Sequence, residues 1–176
     1  LAPVRIAVNL SPLQFNAPDL ADDIVRTLEQ SNVDPEMLVL EVTESILMNN
    51  ISATVETMIE LKNQGIALAM DDFGTGYSSL KHLQHFPLNS IKIDKNFTQD
   101  MERESTAEIT ISILDMAKRL RLHTVAEGVE TASQADFYRR HGCDEIQGYL
   151  YSKPVPVDAF IALIKDGIAM SPHLNI

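Results

Sequence analysis

Hydrophobic residues fall into six short runs along the chain, and each run ends in polar residues. The runs cover residues 4–10, 38–42, 66–70, 90–93, 123–126 and 145–150. Between them lie stretches whose apolar residues recur with the spacing of an amphipathic helix. These stretches cover residues 20–30, 52–64, 105–120, 132–141 and 157–167. Short strands that alternate with helices of this length predict βαβ units and a parallel sheet.

Residues at the ends of the predicted helices fit this division. Ser52 is a plausible N-cap of the second helix, and Gly65 is placed to end it. Either Thr131 or Ser133 suits the start of the fourth helix. Residues 72–85 are different, because glycines two apart predict a loop that leads into a short helix.

Every predicted strand has a polar residue at its carboxyl end. These residues are Asn9, Glu41, Asp71, Asp72, Lys92, Asp94, Glu127 and Gln147. An open sheet concentrates its site at one switch point, whereas a TIM (β/α)8 barrel builds its site from nearly all strands. The pattern therefore favours the barrel. Since only six of the units are visible, we interpret residues 1–176 as the C-terminal portion of one domain and expect two more strands upstream.

Strand alternation places the polar residues of four strands on one face of the sheet, namely Asn9, Glu41, Lys92, Asp94 and Glu127. Glu41 shares a face with Val39 and Thr43, and Lys92 shares a face with Asp94. The opposite face of each strand is apolar and suits packing against outer helices. The polar face would then point toward the mouth of the barrel.

Carboxylate and amide oxygens are hard ligands that suit Mg²⁺ or Mn²⁺. Adjacent Asp71 and Asp72 fit a site with two ions, which activates a water for in-line displacement at phosphorus. Lys92 among carboxylates would stay charged and orient the water or neutralise a phosphoryl oxygen. No His or Cys pair has the spacing of a zinc site. The candidate ligands are Asn9, Glu41, Asp71, Asp72, Asp94 and Glu127.

Each of these residues also has a purely structural interpretation. Asp71 and Asp72 would brace a turn, Lys92 and Asp94 would form an internal ion pair, and Gln147 would hydrogen-bond a loop. Their joint occurrence favours metal binding, because burying so many acids without cations is costly.

Composition narrows the function further. A net charge of −11 argues against non-specific DNA or RNA binding, which needs a basic surface. The acidity itself is compatible with a solvated surface or with carboxylates that hold cations. No apolar run reaches the length of a membrane span, and the single Cys143 fits a cytoplasmic domain. A membrane anchor upstream in a longer parent protein remains compatible with this sequence.

Six segments resemble, in order, the successive motifs of EAL domains. They begin at Asn9, Leu40, Asp71, Ile91, Ala126 and Gln147 and read NLSP, LEVTES, DDFGTGYSSL, IKID, AEGVET and QGYL. The resemblance runs from about residue 4 to residue 160, and the ten-residue DDFGTGYSSL stretch is highly specific.

This resemblance implies a modified TIM barrel that cleaves cyclic di-GMP to linear pGpG in bacterial signal transduction, with two Mg²⁺ or Mn²⁺ ions. It implies that Asn9, Glu41 and Asp71 ligate one ion and that Asp71 and Asp72 share the second. Lys92 would hold the attacking water. Glu127 would assist as a metal-site or acid–base residue, and Gln147 would support the site.

The resemblance also concerns the loop after the third strand. Glu44 is similar to the family glutamate that braces this loop and couples dimerisation to metal and substrate binding. The loop residues in question are Asp72, Phe73, Gly74, Thr75, Gly76, Tyr77, Ser78 and Ser79. A homodimer, fused to sensory or GGDEF-type domains, is the corresponding expectation.

The Glu-Ala-Leu signature and the substrate-binding arginine would lie upstream of residue 1. We therefore expect the parent protein to be catalytic and the 176-residue segment alone to be inactive or poorly folded. Two alternatives are a catalytically silent cyclic di-GMP receptor and a domain for protein contacts through the loop around Tyr77.

Overall fold

The computed structural model describes residues 4–76 and 83–165. Its strands are β1 (Ile6–Asn9), β2 (Leu38–Thr43), β3 (Ala67–Phe73), β4 (Ser90–Ile93), β5 (His123–Ala126) and β6 (Glu145–Ile146). They form one six-stranded sheet in chain order, and every neighbouring pair is parallel. The sheet curls into a half-barrel. The predicted α/β fold of the barrel type is confirmed.

Among the described residues, helices follow β1, β2, β4, β5 and β6. They are α1 (Pro12–Phe15), α2 (Leu20–Ser31), α3 (Glu44–Asn49), α4 (Ile51–Asn63), α5 (Lys95–Gln99), α6 (Glu104–Leu120), α7 (Ala132–Arg140) and α8 (Val157–Lys165). The longer helices begin and end within one residue of their predicted bounds, except that the predicted end of α8 at residue 167 lies outside the described residues. The short helices α1, α3 and α5 follow strand exits and were not predicted, because so few residues carry no periodicity.

The caps show one correction. Helix α4 begins after Asn50, whose side chain accepts a hydrogen bond from Ala53 N–H at 3.5 Å, so the prediction of Ser52 as N-cap is wrong. At α7 the cap is Thr131, which accepts from Gln134 N–H at 3.3 Å, while the Gln134 side chain accepts from Thr131 N–H at 3.0 Å. This reciprocal pair is a capping box.

The outer face of the sheet forms the core. Six side chains of β2, β3 and β4 that alternate with the polar ones are at most 2% exposed and belong to one apolar cluster with helix residues. They include Leu40, Val42, Leu68, Met70, Ile91 and Ile93. Helix α4 contacts β3 and helix α6 contacts β5, so outer helices cover the predicted apolar face at these strands, whereas Ile6 and Val8 on the same face of β1 are 62% and 44% exposed.

The inner face of the half-barrel is a cleft of about 520 Å³. Glu41, Lys92 and Gln147 line it together with smaller residues such as Ala7 and Ala69. Because side chains alternate across a strand, the same pattern that buries one face gathers the polar residues on the other. Within residues 4–76 and 83–165, none of the helices combines the length and apolar character needed to cross a bilayer.

Candidate active site

Lys92 is the centre of the polar cluster at the inner face. Its Nζ lies 2.8 Å from Glu41 Oε1, 2.9 Å from Asp71 Oδ1 and 2.8 Å from Glu127 Oε1. The three acids come from β2, β3 and the residue after β5, whereas Lys92 lies in β4. Four neighbouring strands thus contribute to one ionic cluster.

The cluster keeps Lys92 charged. Burial alone would lower the pKa of its ammonium, but hydrogen bonds to Glu127, Glu41 and Asp71 outweigh that effect and raise the pKa above its ordinary value. Lys92 is 7% exposed, so this cation is largely withdrawn from solvent. It therefore serves as a fixed positive charge and hydrogen-bond donor rather than as a base.

Asn9, at the end of β1, adds an amide to the same cluster. With its amide nitrogen toward the acids, Asn9 lies 3.2 Å from Asp71 Oδ2 and 3.3 Å from Glu41 Oε2. This orientation satisfies the hydrogen bonds of the side chains, whereas the predicted role as a metal ligand needs the amide oxygen on that side. Asn9 therefore lies at the predicted place. To bind a metal ion there, its side-chain amide would have to turn so that the oxygen faces the acids.

A β-bulge in β3 sets the direction of the two adjacent aspartates. Met70 pairs with Ile91 and Phe73 pairs with Ile93, so the interval on β3 is one residue longer than the interval on β4. Asp72 adopts φ 55°, a left-handed conformation that is uncommon for a residue other than glycine. The strand continues to Phe73, which corrects the prediction that a loop begins at Asp72.

The bulge brings three carboxylates together. Asp71, Asp72 and Glu127 each offer an oxygen, and these oxygens lie within 4.8 Å of one another. Burial, with the nearby charge of Asp71, raises the pKa of Asp72. Burial also raises the pKa of Glu127, against the lowering effect of its hydrogen bond to Lys92. Like charges held this close in a partly desolvated place favour a bound cation.

Two further predicted residues border this acidic trio. Asp94 is 5% exposed, and its Oδ1 accepts a hydrogen bond from Asn96 N–H at 2.9 Å as the N-cap of α5. Its charge also contributes to the raised pKa of Asp72, so the two acids are close. Gln147 lines the cleft, and its backbone N–H donates to the Ala126 carbonyl at 2.8 Å.

Glu44 lies against the loop that follows β3. A Cβ atom on Gly76 would lie 2.7 Å from Glu44 Oε1, so the loop backbone passes directly over this carboxylate. Glu44 is 6% exposed, and its Oε2 has no hydrogen-bond partner among the described residues. Of the predicted loop, residues up to Gly76 are described, whereas Tyr77, Ser78 and Ser79 lie outside the described residues.

Some residues that line the inner cleft or contact the site were not expected from the sequence. His123 and Glu145 lie on the inner face, where His123 Nε2 is 3.0 Å from Glu145 Oε1. Strand alternation would have identified both, since His123 shares its face with Val125. Thr98 is different: its hydroxyl contacts the Glu127 carbonyl from another element, and nothing in the sequence pattern indicates that contact.

The fold and the site together define a parallel α/β half-barrel with an acidic, lysine-centred site at the carboxyl ends of its strands. Such a site suits hard divalent cations and an anionic substrate. The chain belongs to the EAL domain family: the family's sequence profile, described as EAL domain, matches residues 1–154.

Relatives support this assignment. Cyclic di-GMP phosphodiesterase NbdA of Pseudomonas aeruginosa is 42% identical over 157 residues, which cover 89% of this chain and 20% of NbdA. The bifunctional diguanylate cyclase/cyclic di-GMP phosphodiesterase MucR of the same organism is 40% identical over 161 residues, covering 91% of this chain and 24% of MucR. The chain therefore spans a quarter or less of these relatives.

Solved structures show the same fold. The MucR phosphodiesterase in complex with cyclic di-GMP superposes with a TM-score of 0.85 at 40% identity, covering 89% of this chain and 64% of that chain. The manganese and cyclic di-GMP complex of BlrP1 from Klebsiella pneumoniae gives a TM-score of 0.80 at 30% identity, covering 87% of this chain and 40% of that chain.

Proposed function

We propose that the protein hydrolyses cyclic di-GMP to linear pGpG with two divalent ions, Mg²⁺ or Mn²⁺. The observation that carries this proposal is the acidic trio of Asp71, Asp72 and Glu127 next to the buried ammonium of Lys92. Relatives named as cyclic di-GMP phosphodiesterases support the substrate. A neighbour solved with manganese and cyclic di-GMP supports the cofactor.

The residues present fit the proposed ions. Three carboxylates contact the Lys92 ammonium, and burial raises the pKa of Asp72 and Glu127 despite nearby lysine charge, so cations would relieve repulsion among these acids. The bound ions would supply Lewis acidity toward the phosphodiester and a nucleophilic water. The proposed ligands are Asn9, Glu41, Asp71, Asp72, Asp94 and Glu127.

Lys92 supplies a positive charge that does not depend on pH in the physiological range. Its ammonium contacts acids from two neighbouring strands and from the exit of a third, so its position is rigidly set. In the proposed mechanism it holds the attacking water and neutralises charge that develops on a phosphoryl oxygen. Glu127, with a raised pKa, is suited to exchange a proton at this place.

Two residues act on the surroundings of the site in this proposal. Gln147, the residue after β6, supports the cluster, and its backbone N–H donates to the Ala126 carbonyl. Glu44 braces the loop at Gly76 and so connects the loop's position to metal and substrate binding. The same loop would connect the site to a homodimer interface.

The wider context is likewise proposed. Residues 1–176 would be the C-terminal portion of one EAL domain in a longer, cytoplasmically exposed protein with sensory or GGDEF-type domains. The bifunctional name of MucR and the small fraction of each relative that this chain spans support such an architecture. No role in binding DNA or RNA is proposed, given a net charge of −11.

A phosphodiesterase assay of the full-length protein tests the function. Cyclic di-GMP is incubated with the protein and Mg²⁺, Mn²⁺ or a chelator, and the products are separated by chromatography. We expect linear pGpG in the presence of either ion and none with the chelator. Binding of cyclic di-GMP without any turnover would contradict the proposal and identify a receptor instead.

A further inference from the structure

Thr98 in α5 and Tyr138 in α7 form a buried hydroxyl pair beside the candidate active site. Both residues are 0% exposed, and their hydroxyl oxygens lie 2.9 Å apart. Thr98 Oγ1 also lies 2.5 Å from the backbone carbonyl oxygen of Glu127. A continuous hydrogen-bonded line therefore runs from the helical layer to the residue that follows β5.

The direction of these hydrogen bonds follows from their chemistry. A carbonyl oxygen only accepts, so Thr98 donates its single hydroxyl hydrogen to Glu127. Tyr138 must then be the donor to Thr98. Burial raises the pKa of Tyr138 to about 12, so its phenol keeps that hydrogen at physiological pH.

The line ends on a residue whose backbone is held from both sides. Glu127 N–H donates to the Ile93 carbonyl at 3.1 Å, and its carbonyl accepts from Thr98. The side chain of Glu127 then reaches Lys92 Nζ at 2.8 Å. Because hydrogen bonds hold both the N–H and the carbonyl of Glu127, they fix the backbone position from which its side chain extends.

Gln134 ties the same region to α7. Its Nε2 donates to the Thr98 carbonyl at 3.1 Å, and its Oε1 accepts from the N–H groups of Glu130 and Thr131 at 2.9 and 3.0 Å. Helix α7 thus holds α5 through Gln134 and through Tyr138. The segment between Glu127 and Thr131 lies between these contacts.

Satisfying a buried hydroxyl does not by itself require such an arrangement. Thr110 in α6 is also 0% exposed, and its hydroxyl donates to the carbonyl of Thr106 in the same helix at 2.8 Å. Thr98 instead donates to a carbonyl in another element, next to the acidic trio. The hydroxyl of Thr98 therefore connects two different elements, whereas the hydroxyl of Thr110 makes only a local contact within its helix.

We infer that Thr98 and Tyr138 are positioning residues for Glu127. Their hydroxyls hold the exit of β5 so that the Glu127 carboxylate meets Lys92 and the other two acids of the trio, Asp71 and Asp72. The inference rests on the proposed function for its catalytic consequence, whereas its structural consequence can be measured separately.

The kinetic test uses the full-length protein with Mn²⁺ and cyclic di-GMP. Thr98→Val keeps the shape and removes the hydroxyl, and we expect kcat to fall about 10- to 100-fold with little change in KM. Thr98→Ser restores the donor and should recover most of the kcat. Tyr138→Phe should lower kcat less, and its effect should not add to that of Thr98→Val. Thr110→Val is the matched control and should leave kcat unchanged.

A second measurement follows the backbone itself by hydrogen–deuterium exchange of peptides that cover residues 127–131. We expect faster exchange in Thr98→Val than in the unsubstituted protein or in Thr110→Val. Exchange in Thr98→Ser should equal that of the unsubstituted protein. Parental kcat and parental exchange in Thr98→Val would overturn the inference. If the parent protein shows no turnover, the proposed function fails, and the exchange data alone decide whether these hydroxyls position Glu127.

Discussion

Asp71 and Asp72 are neighbours in the chain, yet both place a carboxylate oxygen within 4.8 Å of Glu127. Regular strand alternation would send two consecutive side chains to opposite faces of the sheet. The bulge between Met70 and Phe73, together with φ 55° at Asp72, removes that constraint. A local irregularity of one strand therefore assembles the acidic trio.

Neutralising either aspartate should weaken metal binding. We expect Asp71→Asn and Asp72→Asn each to reduce Mn²⁺ affinity at least about tenfold, because a neutral amide replaces a charged ligand. Isothermal titration of the full-length protein with Mn²⁺ measures this. Asp115→Asn, on the exposed side of α6, makes the same chemical change away from the site. Parental affinity in both site variants would contradict the proposed two-ion site.

Removing the charge of Lys92 should separate catalysis from metal binding. Lys92→Met keeps most of the apolar stem but loses the ammonium that contacts three carboxylates. We expect turnover to fall by about 10²–10³-fold or more, because in the proposed mechanism this donor holds the attacking water and neutralises charge on a phosphoryl oxygen. Mn²⁺ affinity should be retained or increase, since the local negative charge rises.

Lys118→Met, at an exposed position of α6, is the control for the change in net charge. Turnover is measured with saturating Mn²⁺, and the melting temperature under the same conditions verifies the fold. Parental turnover in Lys92→Met would exclude the proposed role of this ammonium.

The sheet and its polar face could be predicted because they depend on local alternation. Glu41 and Leu40 illustrate this: the acid lines the inner cleft and the leucine, at 2% exposure, is in the core. In such a strand, the alternation of polar and apolar residues shows which face each side chain occupies, so the sequence alone is enough to assign it.

Other features depend on partners that are distant in the chain. The left-handed conformation of Asp72 follows from how β3 pairs with β4. No residue type in β3 indicates this conformation in the sequence. The contact of Thr98 with Glu127 requires α5 to lie beside the exit of β5. Both are tertiary effects, which explains why the acids were predicted but their support was not.

The contact between Gly76 and Glu44 predicts a coupled effect on stability. A Cβ on residue 76 would lie 2.7 Å from Glu44 Oε1, so Gly76→Ala must displace this carboxylate. We expect the free energy of unfolding to fall by about 1–3 kcal/mol, as for other overpacked sites. Glu44→Asp shortens the side chain and should make Gly76→Ala less costly. Urea unfolding of the four proteins measures the coupling, and equal costs of Gly76→Ala in both backgrounds would show that the two residues do not interact.

Cys143 provides a test of burial away from the site. Burial raises the pKa of its thiol from 9.0 to about 11, and the sulfur lies 3.1 Å from the Glu145 carbonyl. Because the thiolate is the reactive form, we expect iodoacetamide to modify the folded protein about 100-fold more slowly than the urea-unfolded chain at pH 8. Peptide mass spectrometry after timed quenching gives both rates at this single cysteine.

The same shift predicts how stability depends on pH. The folded state binds the thiol proton more tightly than the unfolded state does, so this contribution is fully present below pH 9 and is lost as the pH rises through about 11. We therefore expect the urea midpoint of the parent chain to decrease between these pH values. Cys143→Ala removes the titrating group and should show a smaller decrease over the same interval. An identical pH dependence in the unsubstituted chain and in Cys143→Ala would contradict this prediction. Equal alkylation rates in the folded and unfolded chains would contradict the previous one. Either result would mean that the thiol is as accessible to solvent in the fold as in the unfolded chain.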